Sequence, residues 1–252
     1  MHAECMLQSE KNSHMNIALI GYGKMGKAIE EIAIAKGHKI VLKIDEDNVN
    51  DFTKNNLSKA DVAIEFTHPG SAFSNISKCI EYGVPVVSGT TGWTEKIDEI
   101  YKKCTAANCA FLYASNFSVG VNIFFEVNKL LADLMENHRE YDVQMEEIHH
   151  TQKKDAPSGT AITLAEEILQ RISRKKNWVN HLSDNTGELE IISERVDPAP
   201  GTHKVKYSSD IDDIEIIHTA HSRKGFASGA VLAAEFLAGK NGIFTMQDVL
   251  GL

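Results

Sequence analysis

Residues 15–45, MNIALIGYGKMGKAIEEIAIAKGHKIVLKID, constrain the possible folds of this chain more than any other stretch. Asn16–Ile20 is a short apolar run of strand type. Gly21, Gly23 and Gly26 follow as G-x-G-x-x-G, and Met25, Ile29, Ile32 and Ala33 keep helical spacing until Gly37. HKIVLKID is then a second strand ending in Asp45. Glycines at these places permit a tight turn, a close backbone approach to a pyrophosphate and close packing of helix on strand. The helix start adds free N–H groups and the positive end of a dipole. The motif by itself is weak. Strand, turn, helix, second strand and terminal acid in register point to a dinucleotide-binding βαβ unit rather than an ordinary glycine turn.

Asp45 stands where a carboxylate would accept from the ribose hydroxyls of NAD. Glu46 follows it, where a 2′-phosphate would be better served by arginine, although Lys43 offers a cation nearby. NADH is therefore the expected cofactor, with NADPH possible.

The alternation continues through DVAIEF, SAFSNISKCIEYG, VPVVSGTTGW, EKIDEIYKKCTAA and CAFLYASNF, strand and helix in turn. That spacing predicts a doubly wound parallel sheet, an α/β domain whose ligands lie at the carboxyl ends of its strands. Those ends are GYGKMG, which brings Lys24 and Met25 in with the three glycines, then Asp45, FTHP, SGTTG and ASNFS. Thr67, Gly89, Thr90, Thr91 and Asn116 are the cofactor-facing candidates. Any one of these segments would pass as a turn; five together argue for one crevice.

Composition narrows the partners. The 252-residue chain carries a formal net charge of -9, which opposes non-specific nucleic-acid binding. No apolar run reaches the ~18 residues of a membrane span. Four cysteines without a CxxC pair suit a reduced, cytoplasmic setting. Residues 1–14, MHAECMLQSEKNSH, are polar and aperiodic and are expected to be a disordered extension or the product of an upstream start codon.

Beyond the long apolar helix SVGVNIFFEVNKLLADLMENH the pattern changes. YDVQMEEI and GELEIISERV alternate, HKVKYSSDIDDIEIIHTA reads as a hairpin, and SGTAITLAEEILQRISRKK reads as a helix. This predicts an α+β domain with a mainly antiparallel sheet, one face of which would be free for oligomerisation. Within it EEIHHTQKKDAPSGTA concentrates His149, His150, Lys153 and Lys154 just before a helix start. Pro157 discourages helix at Ala156 and suits a first turn, which sets Ser158, Gly159 and Thr160 at the helix N-terminus. Free N–H groups and hydroxyls there suit a carboxylate, and imidazole and ammonium supply positive charge and protons. The passage reads as an anion pocket with an acid attached. Zinc ligation is disfavoured, because no H-E-x-x-H or Cys/His spacing is present and the lysines would repel a cation. A non-catalytic dinucleotide sensor is the alternative, one for which this pocket would be surplus.

E-x-H-H-x-x-K-x-D-A-P-S-G-T-A resembles the signature of the 4-hydroxy-tetrahydrodipicolinate reductase (dihydrodipicolinate reductase) family. GYGKMG, SGTTGW, ASNFSVGVN, HTAHSRKGFASGAV and GIFTMQDVL are similar to further blocks of that family, in order, so the resemblance spans Met15 to Leu252. It implies NADH- or NADPH-dependent reduction of a cyclic unsaturated imine dicarboxylate on the diaminopimelate route to lysine. By position it implies His149 as acid/base and Lys153 as its proton-donor partner. His150, Lys153, Ser158, Gly159 and Thr160 would hold substrate carboxylates. Gly89–Thr91 and Ala114, Ser115, Asn116 and Phe117 would meet the nicotinamide end through their backbone. It further implies that the dinucleotide-binding domain comprises 15–117 and 223–252. The substrate domain would comprise 118–222, and its sheet would assemble a homotetramer. Two positions depart from the pattern: Glu65-Phe66-Thr67 replaces a common Asp-Phe-Thr, and Glu46 replaces a frequent Arg.

Overall fold

A computed structural model describes residues 14–222 and 224–252. The expected extension falls outside these residues except for His14, as do Cys5 and Arg223. By compactness the chain divides into one unit of residues 14–115 and 230–245 and a second of 116–229 and 246–252. The crossing back lies within a helix at 229–230 rather than near 223, and the last seven residues group with the second unit.

The first unit runs β1 (Asn16–Ile20), α1 (Lys24–Ala35), β2 (Lys39–Ile44), a 3-10 turn over Glu46–Asp51, α2 (Lys54–Leu57), β3 (Val62–Glu65), α3 (Pro69–Glu81), β4 (Val86–Ser88), α4 (Ile97–Ala106) and β5 (Ala110–Tyr113). β1, β3 and β4 are apolar on nearly every residue and almost wholly buried, the signature of strands covered on both faces. The sheet is parallel throughout, in the order β11-β5-β4-β3-β1-β2, with β11 (Gly242–Phe244) at one edge. The short strand β11 has no periodicity of its own; only its pairing with β5 makes it a strand. Chain order reverses at β1, the place where such sheets open a ligand crevice. α1, α3 and α4 each carry one apolar stripe, and Ile76, Ile80 and Ile100 enter the core with Phe111 and Trp93.

The second unit holds α5 (Val119–Met135), β6 (Asp142–His149), α6 (Gly159–Leu169), β7 (Asn177–Val179), β8 (Glu188–Arg195), β9 (Thr202–Ser208) and β10 (Asp213–Thr219). α7 (Lys224–Leu237) begins here and ends in the first unit, and α8 (Met246–Leu250) closes the chain. Its sheet, in the order β10-β9-β6-β8-β7, is mixed. β10, β9 and β6 are antiparallel, whereas β6, β8 and β7 run parallel. The helical crossover α6 returns the chain so that β7 enters in the direction of β6, and β8, reached through residues 180–187, pairs parallel to both. α6 ends at Leu169, short of the predicted Lys176. Beyond it the Ser173 N–H and hydroxyl bond the Glu136 carboxylate at 3.0 and 2.5 Å, which turns the chain away. Met145, Leu164, Ile168, Leu189, Val205 and Tyr207 form the core of this unit.

Candidate active site

The glycine turn of the first unit has three distinct environments. Gly21 sits at φ +96°, and a Cβ there would lie 2.0 Å from the Phe66 carbonyl oxygen. A Cβ on Gly26 would lie 2.3 Å from the Gly21 carbonyl oxygen, so both are fixed by close packing. Gly23 has nothing within 4 Å of that position, and as N-cap of α1 it supplies no side-chain acceptor. The first N–H groups of α1, beginning at Lys24 and Met25, are thus without a side-chain cap. This is the geometry a pyrophosphate fits.

Beside the turn lies a cavity of about 420 Å³, lined among others by Gly21, Gly23, Asp45, Glu46, Thr67 and Lys78. Asp45 follows β2 and caps the 3-10 turn: its carboxylate accepts from Glu46 N at 3.0 Å and its N–H donates to Asn48 Oδ1 at 2.7 Å. Lys43, the expected cation, is engaged elsewhere. Its ammonium lies 2.7 Å from Glu30 Oε1 and 4.7 Å from the Tyr22 ring centroid. Hydrogen bonds from Lys43 and Tyr22 hold the Glu30 carboxyl below its usual range. Lys78 of α3 is the cation that lines the cavity, its Nζ 5.1 Å from the centre of Phe52. Sequence reasoning missed it, because a lysine in an amphipathic helix carries no mark of the face it lines.

Glu65, at the end of β3, is completely buried. It accepts from Thr67 N at 3.1 Å, from Ser88 Oγ at 2.6 Å, from Thr90 Oγ1 at 2.9 Å and from the Thr67 hydroxyl. The Thr90 hydroxyl in turn accepts from Thr67 N at 2.8 Å. A Cβ on Gly89 would fall 2.2 Å from the Phe66 ring. Thr67, Gly89 and Thr90 are therefore drawn together at the carboxyl ends of β3 and β4. The Thr90 hydroxyl points inward and is unavailable to a ligand. Thr91 and Ser115 are exposed, and Ala114 donates its N–H to Ser88 O at 3.2 Å.

Asn116 and Phe117 belong to the second unit. The Phe117 side chain is buried, and its carbonyl packs against Gly229 of α7. Asn116 accepts at Oδ1 from Ser118 N at 2.9 Å and reaches Thr160 Oγ1 with Nδ2 at 3.5 Å, joining a cofactor candidate to a substrate candidate.

β6 alternates buried and exposed positions, and Glu147 and His149 fall on its buried face after Val143 and Met145. The register places Glu147 opposite Ser193 of β8 and opposite His203 of β9, and His149 opposite Arg195. The Glu147 carboxylate accepts from Ser158 N at 3.0 and 3.1 Å, from Ser193 Oγ at 2.8 Å and from Arg195 Nη2 at 3.1 Å. Its Oε2 lies 3.4 Å from His149 Nδ1 and 3.8 Å from His203 Nε2, and the two rings meet edge to face at 5.1 Å. Burial alone would raise the Glu147 carboxyl, yet hydrogen bonds from Ser158, Ser193 and Arg195 hold it below the carboxylate range. Burial lowers the proton affinity of His149; Glu147 and Asp155 oppose that, Lys153 and Arg195 add to it, and the net is downward. His203 is pushed down to about 4 by burial and by His149, so it is neutral at pH 7. Atoms of Glu147, His149 and His203 lie within 4.8 Å of one another, a spacing that would admit a cation. A carboxylate already taken by Ser158, Ser193 and the Arg195 guanidinium is a poor ligand, and the donor set suits hydrogen bonding.

After β6 the chain passes through the lysine loop into α6. Lys153 pairs with both oxygens of Asp155, at 2.9 and 2.8 Å. His150 is half-buried just after β6, and its carbonyl accepts from Lys153 N at 3.1 Å. Pro157 precedes the cap instead of entering the first turn. Ser158 caps α6, accepting from Ala161 N at 3.2 Å, with its Oγ 3.1 Å from His203 Nε2. Its N–H and hydroxyl are both engaged by the protein. The open part of the helix start is Gly159, with nothing within 4 Å of a Cβ, and the half-buried Thr160. His203 was unmarked in the sequence as a site residue; the signal available was a histidine among the buried alternate positions of a strand.

Two family models match the chain: dihydrodipicolinate reductase, N-terminus, over residues 15–117, and dihydrodipicolinate reductase, C-terminus, over 120–250. The 4-hydroxy-tetrahydrodipicolinate reductase of Christiangramia forsetii is 53% identical over 240 residues, 94% of this chain and 98% of that protein. The protein of the same name from Thermosipho africanus is 36% identical, again over 94% of this chain and 98% of its own. Among solved structures, a dipicolinate-bound dihydrodipicolinate reductase from Paenisporosarcina sp. TG-14 shares the fold with a TM-score of 0.78 at 22% identity, covering 93% of this chain and 98% of that one.

Proposed function

The chain belongs to the dihydrodipicolinate reductase family, and from that premise we propose how its residues divide one reduction. The activity is that of an NAD(P)H-dependent oxidoreductase acting on 4-hydroxy-tetrahydrodipicolinate in the diaminopimelate route to lysine. The first unit holds the pyridine nucleotide. Gly23 and the start of α1 take the pyrophosphate, and Asp45 takes the adenosine ribose. The backbone near Gly89–Thr91 and Ala114–Phe117 serves the nicotinamide end. Loss of the 4-hydroxyl of the substrate as water gives the conjugated imine, and the reduced nicotinamide, when bound, would supply a hydride to one ring carbon of it.

The second unit supplies everything that reaction needs from acids and cations. The N–H groups of Gly159 and Thr160 bind one substrate carboxylate at the α6 start. Lys153, released from Asp155, pairs with a carboxylate, and His150 assists. Hydride addition leaves an electron pair on the far end of the conjugated system, and a proton from His149 closes the new C–H or N–H bond there. A positioned acid of this kind contributes about 10²–10⁴-fold, and a fixed ammonium stabilises the developing charge as well. The observation that carries this reading is the placing of His149 at the end of β6 and of an uncapped, unobstructed helix start at Gly159, joined by the lysine loop.

NADH is the preferred cofactor in this proposal. Asp45 and Glu46 both line the cavity beside the glycine turn, where they repel a 2′-phosphate, and Lys43 is neutralised by Glu30. Lys78 leaves NADPH usable. A homotetramer assembled through the second sheet is supported by Ile214 and Ile217 standing exposed on its edge strand β10. No helix among the described residues is long and apolar enough to cross a membrane. Cys79, Cys104 and Cys109 are buried free thiols, which supports a reducing, cytoplasmic setting.

The test is a spectrophotometric assay of NADH and NADPH oxidation with freshly generated substrate. NADH should be used at least as efficiently as NADPH. An NADPH efficiency more than about tenfold higher, or roughly 1.4 kcal/mol, would overturn the preference. His149→Gln should lower kcat about 10²-fold with NADH affinity unchanged; a wild-type kcat there would end the assignment of His149.

A further inference from the structure

Glu147 takes no direct part in the reduction, yet among the described residues it is the most completely buried charged group of the second unit, and it touches both His149 and the cap of α6. Its Oε1 is taken by Ser193 Oγ at 2.8 Å and Arg195 Nη2 at 3.1 Å, from the neighbouring strand. Both oxygens accept from the backbone N–H of Ser158, the cap of α6. Oε2 is left facing His149 Nδ1 at 3.4 Å, an imidazole nitrogen that is buried and has no hydrogen-bond partner. Apolar groups of similar volume would commonly stabilise a core more than a buried ion pair does. A carboxylate retained here therefore points to a geometric task.

Resting on the reading of His149 as proton donor, we infer that Glu147 is the positioning residue that sets His149 and the anion-binding start of α6 in one frame. On the strand side, the carboxylate selects the His149 tautomer with a proton on Nδ1, which leaves Nε2 to give and regain the proton of the reaction. At 3.4 Å the contact is an ion-pair distance, longer than an ordinary N–H···O bond. Gly201 lies on the Nε2 side of the ring, where a Cβ would come to 3.0 Å of Nε2, so a glycine there leaves that nitrogen its room. On the helix side, holding the Ser158 N–H turns the cap inward and leaves the next N–H groups, Gly159 and Thr160, facing outward. His203 completes the frame. It is neutral, lies 3.1 Å from the Ser158 hydroxyl and packs edge to face on His149. The charged groups that bear on His149 are thus Glu147, Lys153, Asp155 and Arg195, with His203 as its uncharged neighbour.

Steady-state kinetics from pH 5.5 to 9, NADH dissociation constants and thermal melts on Glu147→Gln, Glu147→Asp and His149→Gln decide the matter. Glu147→Gln should lower kcat about 10²-fold, the loss expected when a reacting group is misplaced by about 1 Å, and should raise the substrate KM. Its alkaline limb should move down by about one pH unit, because losing the carboxylate lowers the proton affinity of His149. NADH affinity should stay within about twofold. If the Gln variant does not fold, Glu147→Asp decides. That variant keeps the charge but withdraws it by one methylene, and its kcat should fall at least about fivefold with NADH affinity intact. A folded Gln variant, or failing that an Asp variant, with lower thermal stability but wild-type kcat and pH limb would reduce Glu147 to a structural role and overturn the inference. If instead His149→Gln keeps wild-type activity, the underlying assignment fails, and this inference with it, whatever Glu147 variants show.

Discussion

A side chain at Gly21 would have to occupy the Phe66 carbonyl oxygen and adopt a left-handed backbone, whereas one at Gly23 meets open space. The two positions therefore separate fold from ligand. Gly21→Ala should lose several kcal/mol of stability, a strained conformation added to a steric clash. Gly23→Val should keep its melting temperature within a few degrees and weaken NADH at least about tenfold, by obstructing the pyrophosphate. Thermal melts and fluorescence titration with NADH check both, and equal melting temperatures for the two variants would contradict the assignment. Lys153 is the corresponding case in the second unit. Its ammonium now rests on Asp155, and Lys153→Ala should lower kcat and also raise the substrate KM, since it pairs with a carboxylate in the ground state too. Combined with His149→Gln it should cost far less than the product of the two, as residues acting as a unit do.

At the scale of elements, α6 shows what a helix start contributes beyond its residues. Ser158 closes the cap with Ala161, and Glu147 and His203 hold Ser158 from the sheet, so the first turn is fixed before any ligand arrives. Gly159→Leu fills the open space over that turn. It should raise the substrate KM by about tenfold or more while NADH binding survives, as the proposal that the α6 start holds a substrate carboxylate requires. Parallel loss of NADH affinity, measured by titration, would mean that one element serves both ligands. The strand β6 is the counterpart. Its alternate positions Val143, Met145, Glu147 and His149 all face inward. That pattern was readable from YDVQMEEIH itself, where a glutamate and a histidine continue an apolar face.

For the molecule as a whole, the buried histidines make stability depend on pH. His203 has a folded pKa of about 4, below the ordinary histidine value, so the unfolded chain binds its proton more tightly. Its contribution is complete above about pH 6.5 and is lost as pH falls through the interval down to about 4, up to about 3 kcal/mol. Glu147, whose folded pKa is lowered, adds stability that is present above its ordinary value near 4.5 and disappears only at lower pH. Urea melts at pH 7.5 and 4.5 should show the difference, and His203→Gln should flatten it; an unchanged pH slope in that variant would place the effect elsewhere. Assembly belongs to the same scale. Sedimentation should give a four-chain particle, and Ile214→Lys with Ile217→Lys on the exposed edge strand should produce smaller species.

The glycine turn, the parallel sheet of the first unit and the capped helix start at Ser158 were legible in the chain because each rests on neighbours in sequence. Glycine spacing, apolar period and a cap are local quantities. The register of the second sheet was not legible. Which residues face Glu147 depends on pairing strands that lie 46 and 56 positions away in sequence, and the tertiary structure alone brings Ser193 and His203 to the same carboxylate. The same holds for the cations near the cavity beside the glycine turn. Lys43 looked available beside Asp45 but is claimed by Glu30 across the face of Tyr22, while Lys78 reaches the cavity from α3. A side chain's charge is written in the sequence; the partner that neutralises it is chosen by packing.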